Sequence, residues 1–196
     1  MSEINSYLTF CLEEEVFAAN VSKVLNILEM TKVTKVPKAP GYMKGVINLR
    51  GQVLPLIDTR IKFGMKETEY TTNTCILVLD INIDNESVQL GAIVDAVREV
   101  VEIDDKNVQP PPSIGSKYKS EFINGVAQIN EDFVMLLNMD LVFSVEEIIN
   151  LKNTTEDAKI NNENNSAEKE KATSKKNTKT IPATKKTIKN KRSKAK

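Results

Sequence analysis

The chain has 196 residues, 27 Lys+Arg balanced by 27 Asp+Glu, 40% hydrophobic residues, and neither histidine nor tryptophan. That length supports one domain with a real core, or two small subdomains. Without histidine, Ser-His-Asp and Cys-His catalysis are excluded, and the commonest metal ligand and neutral-pH proton carrier is missing.

The neutral sum hides a split. Residues 152–196 carry 14 basic against 5 acidic side chains, whereas residues 1–151 carry 13 against 22. An acidic folded domain over 1–151 is therefore expected to precede a Lys-rich tail over 152–196. From Lys171 to Lys196 there are 11 Lys+Arg and no acid. Such a segment cannot bury enough apolar surface to offset its ordering entropy, which predicts disorder. It reads as a solvated extension, or as a weak attractor for an anionic membrane or acidic protein surfaces. Nucleic acid would bind non-specifically at best, since no aromatic residue is interleaved with the lysines. No signal-peptide pattern is expected, and no apolar run approaches the roughly 20 residues of a membrane span. Cys11 and Cys75 sit in apolar runs without CxxC spacing and read as buried, reduced thiols. These features together predict a cytoplasmic protein.

Along the chain the apolar period is mostly two. YLTFCL (7–12) alternates, and VFAANV (16–21) follows after the charged turn EEE. VSKVLNILEM (21–30) is ambiguous, because its apolar positions fit a helical turn or two as well as a strand. The turn-rich VPKAPGYM leads to GVINLRGQVLPLI, which reads as a hairpin. TCILVLDI (74–81) and VQLGAIV (88–94) read as buried strands across the polar turn NIDNES. VREVVEI (97–103) alternates again, and PPP at 110–112 excludes regular structure locally. FINGVAQI (122–129) and FVMLLNM (133–139) make another hairpin pattern. DLVFSVEEIINL (140–151) predicts one amphipathic helix, capped by Asp140 or Asn138. Many short strands with regular turn signals predict an all-β fold with minor helix, as barrels or a sandwich.

Other chemistry is poorly supported. DINIDNE (80–86) imitates the start of a calcium loop, but Asn85 and Gly91 stand where that loop needs glycine and glutamate. No phosphate-binding glycine motif occurs. Asp58 and Asp95 each follow an apolar strand, where a carboxylate more often caps a helix or loop than catalyses. A barrel hydrolase is thus opposed by the missing histidine and activated nucleophile. A nucleic-acid-binding barrel with a basic tail is opposed by the acidic, Trp-free 1–151 segment.

INLRGQVLPLID (47–58) bends two apolar runs around one Arg-Gly pair. Gly51 supplies the positive φ that a tight turn demands. Pro55 cannot donate to a ladder, so its strand is expected to lie on an edge or break there. Arg50 at the joint reads either as a solubilising turn residue or as a partner contact.

The run GVINLRGQVLPLIDTRIKFG (45–64) resembles the signature of the CheW family of chemotaxis coupling adaptors. FCLEEEVFAANVSKV, VPKAPGYMKG, GAIVDAVREVVEI and INGVAQINEDFVMLLNMDLVF are similar to other family segments, so the resemblance covers about residues 5–148. It implies two SH3-like five-stranded barrels sharing an apolar core, a C-terminal helix, no enzyme activity and no cofactor or metal. It implies two partners: the cytoplasmic tip of a methyl-accepting chemoreceptor and the regulatory domain of the chemotaxis histidine kinase, at membrane-bound receptor arrays. Carried over by position, the receptor groove would involve Val24, Asn26, Gly45, Arg50, Val97 and Val100. Asn26 departs from the family pattern, which places a glutamate there to pair with the groove arginine. Glu29 is a nearby substitute for that charge, and a specialised paralogue serving another receptor or chemosensory pathway is the variant reading. An adaptor–receiver fusion is not expected, since no receiver-like repeats follow residue 151.

Overall fold

Thr9 explains the first irregularity of the fold. It lies where the pairing of β1 (Ile4–Leu12) with β8 (Ala96–Asp104) shifts register between Leu8 and Phe10. A bulge leaves one residue without a ladder partner. The Thr9 hydroxyl makes up the loss, donating to the Glu99 carbonyl at 2.7 Å and accepting from the Glu99 N–H at 3.1 Å. Thr9 is buried as a result.

The computed structural model describes residues 3–111, 122–143 and 147. Between β1 and β8 the chain forms β2 (Glu15–Asn20), β3 (Val24–Glu29), β4 (Met43–Leu49), β5 (Gln52–Asp58), β6 (Cys75–Ile83) and β7 (Glu86–Val94). It continues through the two-residue β9 (Val108–Gln109), β10 (Ile123–Ile129) and β11 (Asp132–Leu137). A short helix, α1 (Thr59–Lys62), follows β5. Two sheets result. One has six strands in the order β8-β1-β2-β11-β10-β9, the other five in the order β3-β6-β7-β5-β4.

The all-β architecture with minor helix holds. Where the family pattern implies two five-stranded units, the first sheet carries a sixth strand, β9, which ends at Pro110 because proline offers no ladder N–H. The ambiguous segment 21–30 resolves into a 3₁₀ turn over Val21–Lys23 and then strand β3. Asn20 accepts from the Ser22 N–H at 2.9 Å and fixes that junction. The helix expected from residue 140 does not start there. Residues 139–143 form turns and bends, Glu147 is helical, and the remainder of 140–151 lies outside the described residues. Asp140 is occupied elsewhere: its carboxylate takes Lys23 Nζ at 2.7 Å and the Asn82 N–H at 2.7 Å. The basic 152–196 segment also lies outside the described residues.

Pro55 behaves differently from the simple edge expectation. β5 is an interior strand, but its pairing with β7 begins only at Leu56, opposite Gly91. Up to Pro55 it has β4 alone as neighbour, so the missing N–H falls where the strand is still one-sided.

One apolar cluster unites both sheets. It takes Phe10, Leu12 and Phe17 from the first and Leu77, Leu79 and Leu90 from the second. Aromatic rings run through it, Phe17 against Phe63 at 5.6 Å and Phe63 stacked on Phe122 at 4.8 Å between centroids. Each fully buried Leu or Phe contributes about 1.5–3 kcal/mol by leaving water. The strands β6 and β7 are apolar in unbroken runs, with buried residues on both faces, and therefore lack alternation.

Candidate functional site

The turn that presents Arg50 is tighter than the glycine alone requires. Leu49 pairs with Gln52, leaving a two-residue loop in which Arg50 has φ 53 and Gly51 has φ 88. Both central residues are left-handed, the type I′ geometry that matches the strand twist. The Asn48 side chain accepts the Gly51 N–H at 2.8 Å and braces the loop. Glycine at 51 was legible in the sequence; the left-handed arginine beside it was not.

Beside this turn, two sheet edges meet. β3 ends the five-stranded sheet and β8 ends the six-stranded one. Leu8, Val21, Val24, Leu25, Ile27 and Val100 line a groove of about 320 Å³ between them, together with Asn26. Leu25 is 50% exposed and Val100 57%. A second depression of about 320 Å³ shares Leu25 and Asn26 with the first and is completed by Leu49, Arg50, Gln52, Val78 and Gln89. Four of the six residues singled out in the sequence, Val24, Asn26, Arg50 and Val100, thus border one continuous pair of depressions.

Gly45 and Val97 do not line it. Val97 is half-buried and packs against the main apolar cluster. Gly45 is buried at φ 142, and a Cβ there would stand 2.2 Å from the Thr34 carbonyl oxygen. The close approach that needs glycine is therefore made by the chain's own segment. Thr34 and Val46 exchange two backbone hydrogen bonds of 2.9 Å beside it.

Asn26 does not pair with Arg50. Its Oδ1 accepts the N–H of Ile27 at 2.8 Å. Glu29 makes no ion pair with Arg50 either: among the described residues Arg50 has no ion pair or hydrogen bond at all, whereas Arg60 and Arg98 are both paired.

Asp58 and Asp95, read from the sequence as caps of a helix or loop, are structural. Asp58 Oδ1 caps α1 through the Arg60 N–H at 3.1 Å and also meets Arg60 Nε at 3.3 Å. Arg60 Nη1 reaches Asp95 at 2.9 Å, and the other Asp95 oxygen accepts the Glu13 N–H at 2.7 Å. Arg60 is 1% exposed and Asp58 is fully buried. Burial alone would lower the guanidinium pKa, but the hydrogen bond and charge of Asp58, with Asp95, outweigh it and raise it. Tyr70 lies over the guanidinium at 5.4 Å and is pushed up to about 12 by burial and then by Asp58. This network ties α1 to the β7–β8 junction and the β1–β2 turn.

A larger cleft of about 550 Å³ opens at the β9–β11 end of the six-stranded sheet. Val126, Met135, Pro110 and Phe133 give it an apolar lining, and Glu14, Glu131 and Asp132 are acidic residues along it. Phe133 is 65% exposed. β8, which borders the first groove, lies at the opposite end of the same strand order. Sequence reading left this cleft unnoticed. Among the described residues no cluster of metal-ligating side chains occurs, and no helix is long and apolar enough to cross a membrane.

The family model described as the CheW-like domain matches residues 6–158. The chain belongs to the CheW-like family. It is 36% identical over 140 residues to the chemotaxis protein CheW of Rhizobium meliloti, covering 71% of this chain and 88% of that one. It is 29% identical over 142 residues to CheW of Klebsiella aerogenes, covering 72% and 83%. The crystal structure of the scaffolding protein TtCheW from Thermoanaerobacter tengcongensis superposes with a TM-score of 0.65 at 28% identity, covering 74% of this chain and 91% of that one. The two-sheet, SH3-like barrel architecture is therefore a family property.

Proposed function

We propose that this CheW-like protein is a chemotaxis adaptor that couples membrane-bound chemoreceptors to the chemotaxis histidine kinase in the cytoplasm. The observation that carries the proposal is the groove in which Val24 and Val100, from the end strands of two sheets, meet beside Arg50. An exposed apolar groove of this size suits one face of an amphipathic helix. The receptor tip, a helical hairpin, is the partner assigned to it.

The kinase regulatory domain takes a different surface. Among the described residues, Phe133 and its apolar neighbours at the β9–β11 end form another exposed patch suited to anchoring a protein. Two surfaces at the two ends of one strand order allow one adaptor to hold both partners at once. No step requires the protein to change a covalent bond.

The test is a binding titration of the full chain with a receptor-tip hairpin and, separately, with the kinase regulatory domain. Val24→Asp is expected to weaken the hairpin at least tenfold and leave the kinase domain within twofold. Equal loss for both partners, or for neither, would contradict the assignment of the groove.

A further inference from the structure

We propose that Asp140 is a positioning residue: its carboxylate latches the crossover between the two sheets and so holds Val21 and Val24 as one wall of the groove. The inference rests on the groove reading above and adds what keeps that wall in place.

The chain passes from β2 of one sheet to β3 of the other through the 3₁₀ turn Val21–Lys23. Three residues per turn put Val21 and Val24 on one face, and both line the groove. Lys23 lies between them and points elsewhere: its ammonium meets Asp140 Oδ2 at 2.7 Å and Oδ1 at 2.9 Å. No residue of the turn is buried, so apolar packing does little to fix it. The Asn20 cap secures its first end, and the Lys23 ion pair secures its last.

Asp140 also stands in for a missing strand. β3 pairs with β6 over Cys75–Leu79 only, where Val24 meets Leu79. Asn82 lies three positions beyond, where β3 has left the sheet, and a backbone N–H there still needs an acceptor. Asp140 Oδ1 accepts it at 2.7 Å. One carboxylate therefore ends the β3–β6 ladder and holds the cation of the turn that departs from it. An ionised acceptor serves both donors better than a neutral one.

The anchor is itself fixed. Asn138 Oδ1 accepts the Asp140 N–H at 3.1 Å, and the Asn138 N–H donates to the Phe122 carbonyl at 2.8 Å. Met139 before Asp140, and Val142 and Phe143 after it, are buried in the main apolar cluster. Packing places the carboxylate, and the carboxylate places the turn.

The experiment follows amide hydrogen exchange by NMR in the full chain and titrates the same variants with a receptor-tip hairpin and with the kinase regulatory domain. The Val24 N–H, which donates to the Val21 carbonyl, reports on the turn. Asp140→Ala is expected to speed exchange at Asn82 and Val24 roughly tenfold. It should weaken the hairpin about fivefold and leave the kinase domain within about twofold. Asp140→Asn keeps an acceptor for Asn82 but no charge for Lys23. Like Lys23→Met, it should speed exchange at Val24 while Asn82 stays protected. Lys23→Glu combined with Asp140→Lys should recover hairpin affinity lost in either single variant. Unchanged exchange at Val24 in Asp140→Ala would overturn the latch. Faster exchange with hairpin affinity unchanged, or equal loss for both partners, would overturn its positioning of the groove wall. If the unaltered chain does not bind the hairpin, the groove reading fails, and exchange at Val24 still decides whether Asp140 holds the turn.

Discussion

Val24 and Val100 belong to strands that end two different sheets, yet they line the same groove. Their contact surface exists only because β3 and β8 both turn an unpartnered edge toward it. Val100 is 57% exposed, so its side chain stabilises the fold little. Val100→Asp should therefore change unfolding free energy by no more than about 0.5 kcal/mol. Receptor-hairpin affinity should fall at least tenfold, about 1.4 kcal/mol, read by titration calorimetry.

Arg60 has the opposite character. Removing it leaves buried Asp58 with Lys44, 3.7 Å away, as its remaining cation, and a poorly compensated buried charge is costly. Arg60→Ala should lose about 3–5 kcal/mol of stability in urea unfolding. A loss below about 1 kcal/mol would show that Lys44, already paired with Asp58 at 3.7 Å, compensates its charge.

Gly45 is predicted to matter for folding before binding. A methyl group there meets the Thr34 carbonyl, and φ 142 strains any side chain. Gly45→Ala should cost more than about 1 kcal/mol, measured by thermal or urea unfolding. Hairpin binding by the folded fraction should stay within twofold, because Gly45 does not line the groove.

Two tyrosines should titrate late. Tyr42 is pushed up to about 12 by burial and then by Glu147, and Tyr70 to about 12 by burial and then by Asp58. Their folded values lie above the ordinary value of about 10. The stability they contribute is thus fully present below pH of about 10 and is lost as pH rises through about 12. Ultraviolet absorbance should show at least two of the four tyrosines ionising well after the rest in the native protein. In urea all four should ionise together.

Most of the hairpins were legible because alternation and turn glycines act locally. Gly51 announced its turn, and Asp58 announced a cap. The remaining features depend on residues distant in sequence. α1 is four residues long and too short to show a helical period. Asp58 and Asp95 read as caps, but their shared ion-pair partner Arg60 was not legible, because the three meet only in the folded chain. Gly45 read as a groove residue, but its requirement comes from Thr34, eleven positions earlier and brought alongside only by the sheet. For the site, Val24, Asn26, Arg50 and Val100 could be named from the family resemblance, whereas the freedom of Arg50 followed from where the Asn26 oxygen turns.

The second cleft makes a separate prediction. Phe133 is 65% exposed and anchors the apolar lining at the β9–β11 end. Phe133→Asp should leave stability within about 0.5 kcal/mol. Affinity for the kinase regulatory domain should drop at least tenfold, with the receptor hairpin unaffected, as read by titrating each partner separately.

The most direct measurement is a three-component titration. The full chain is saturated with the kinase regulatory domain, and the receptor-tip hairpin is then added while its binding is followed. Coupling predicts that the hairpin binds with an affinity within threefold of that for the free adaptor, giving a ternary complex in ultracentrifugation. Mutual exclusion of the two partners, or failure of either to bind, would contradict the account.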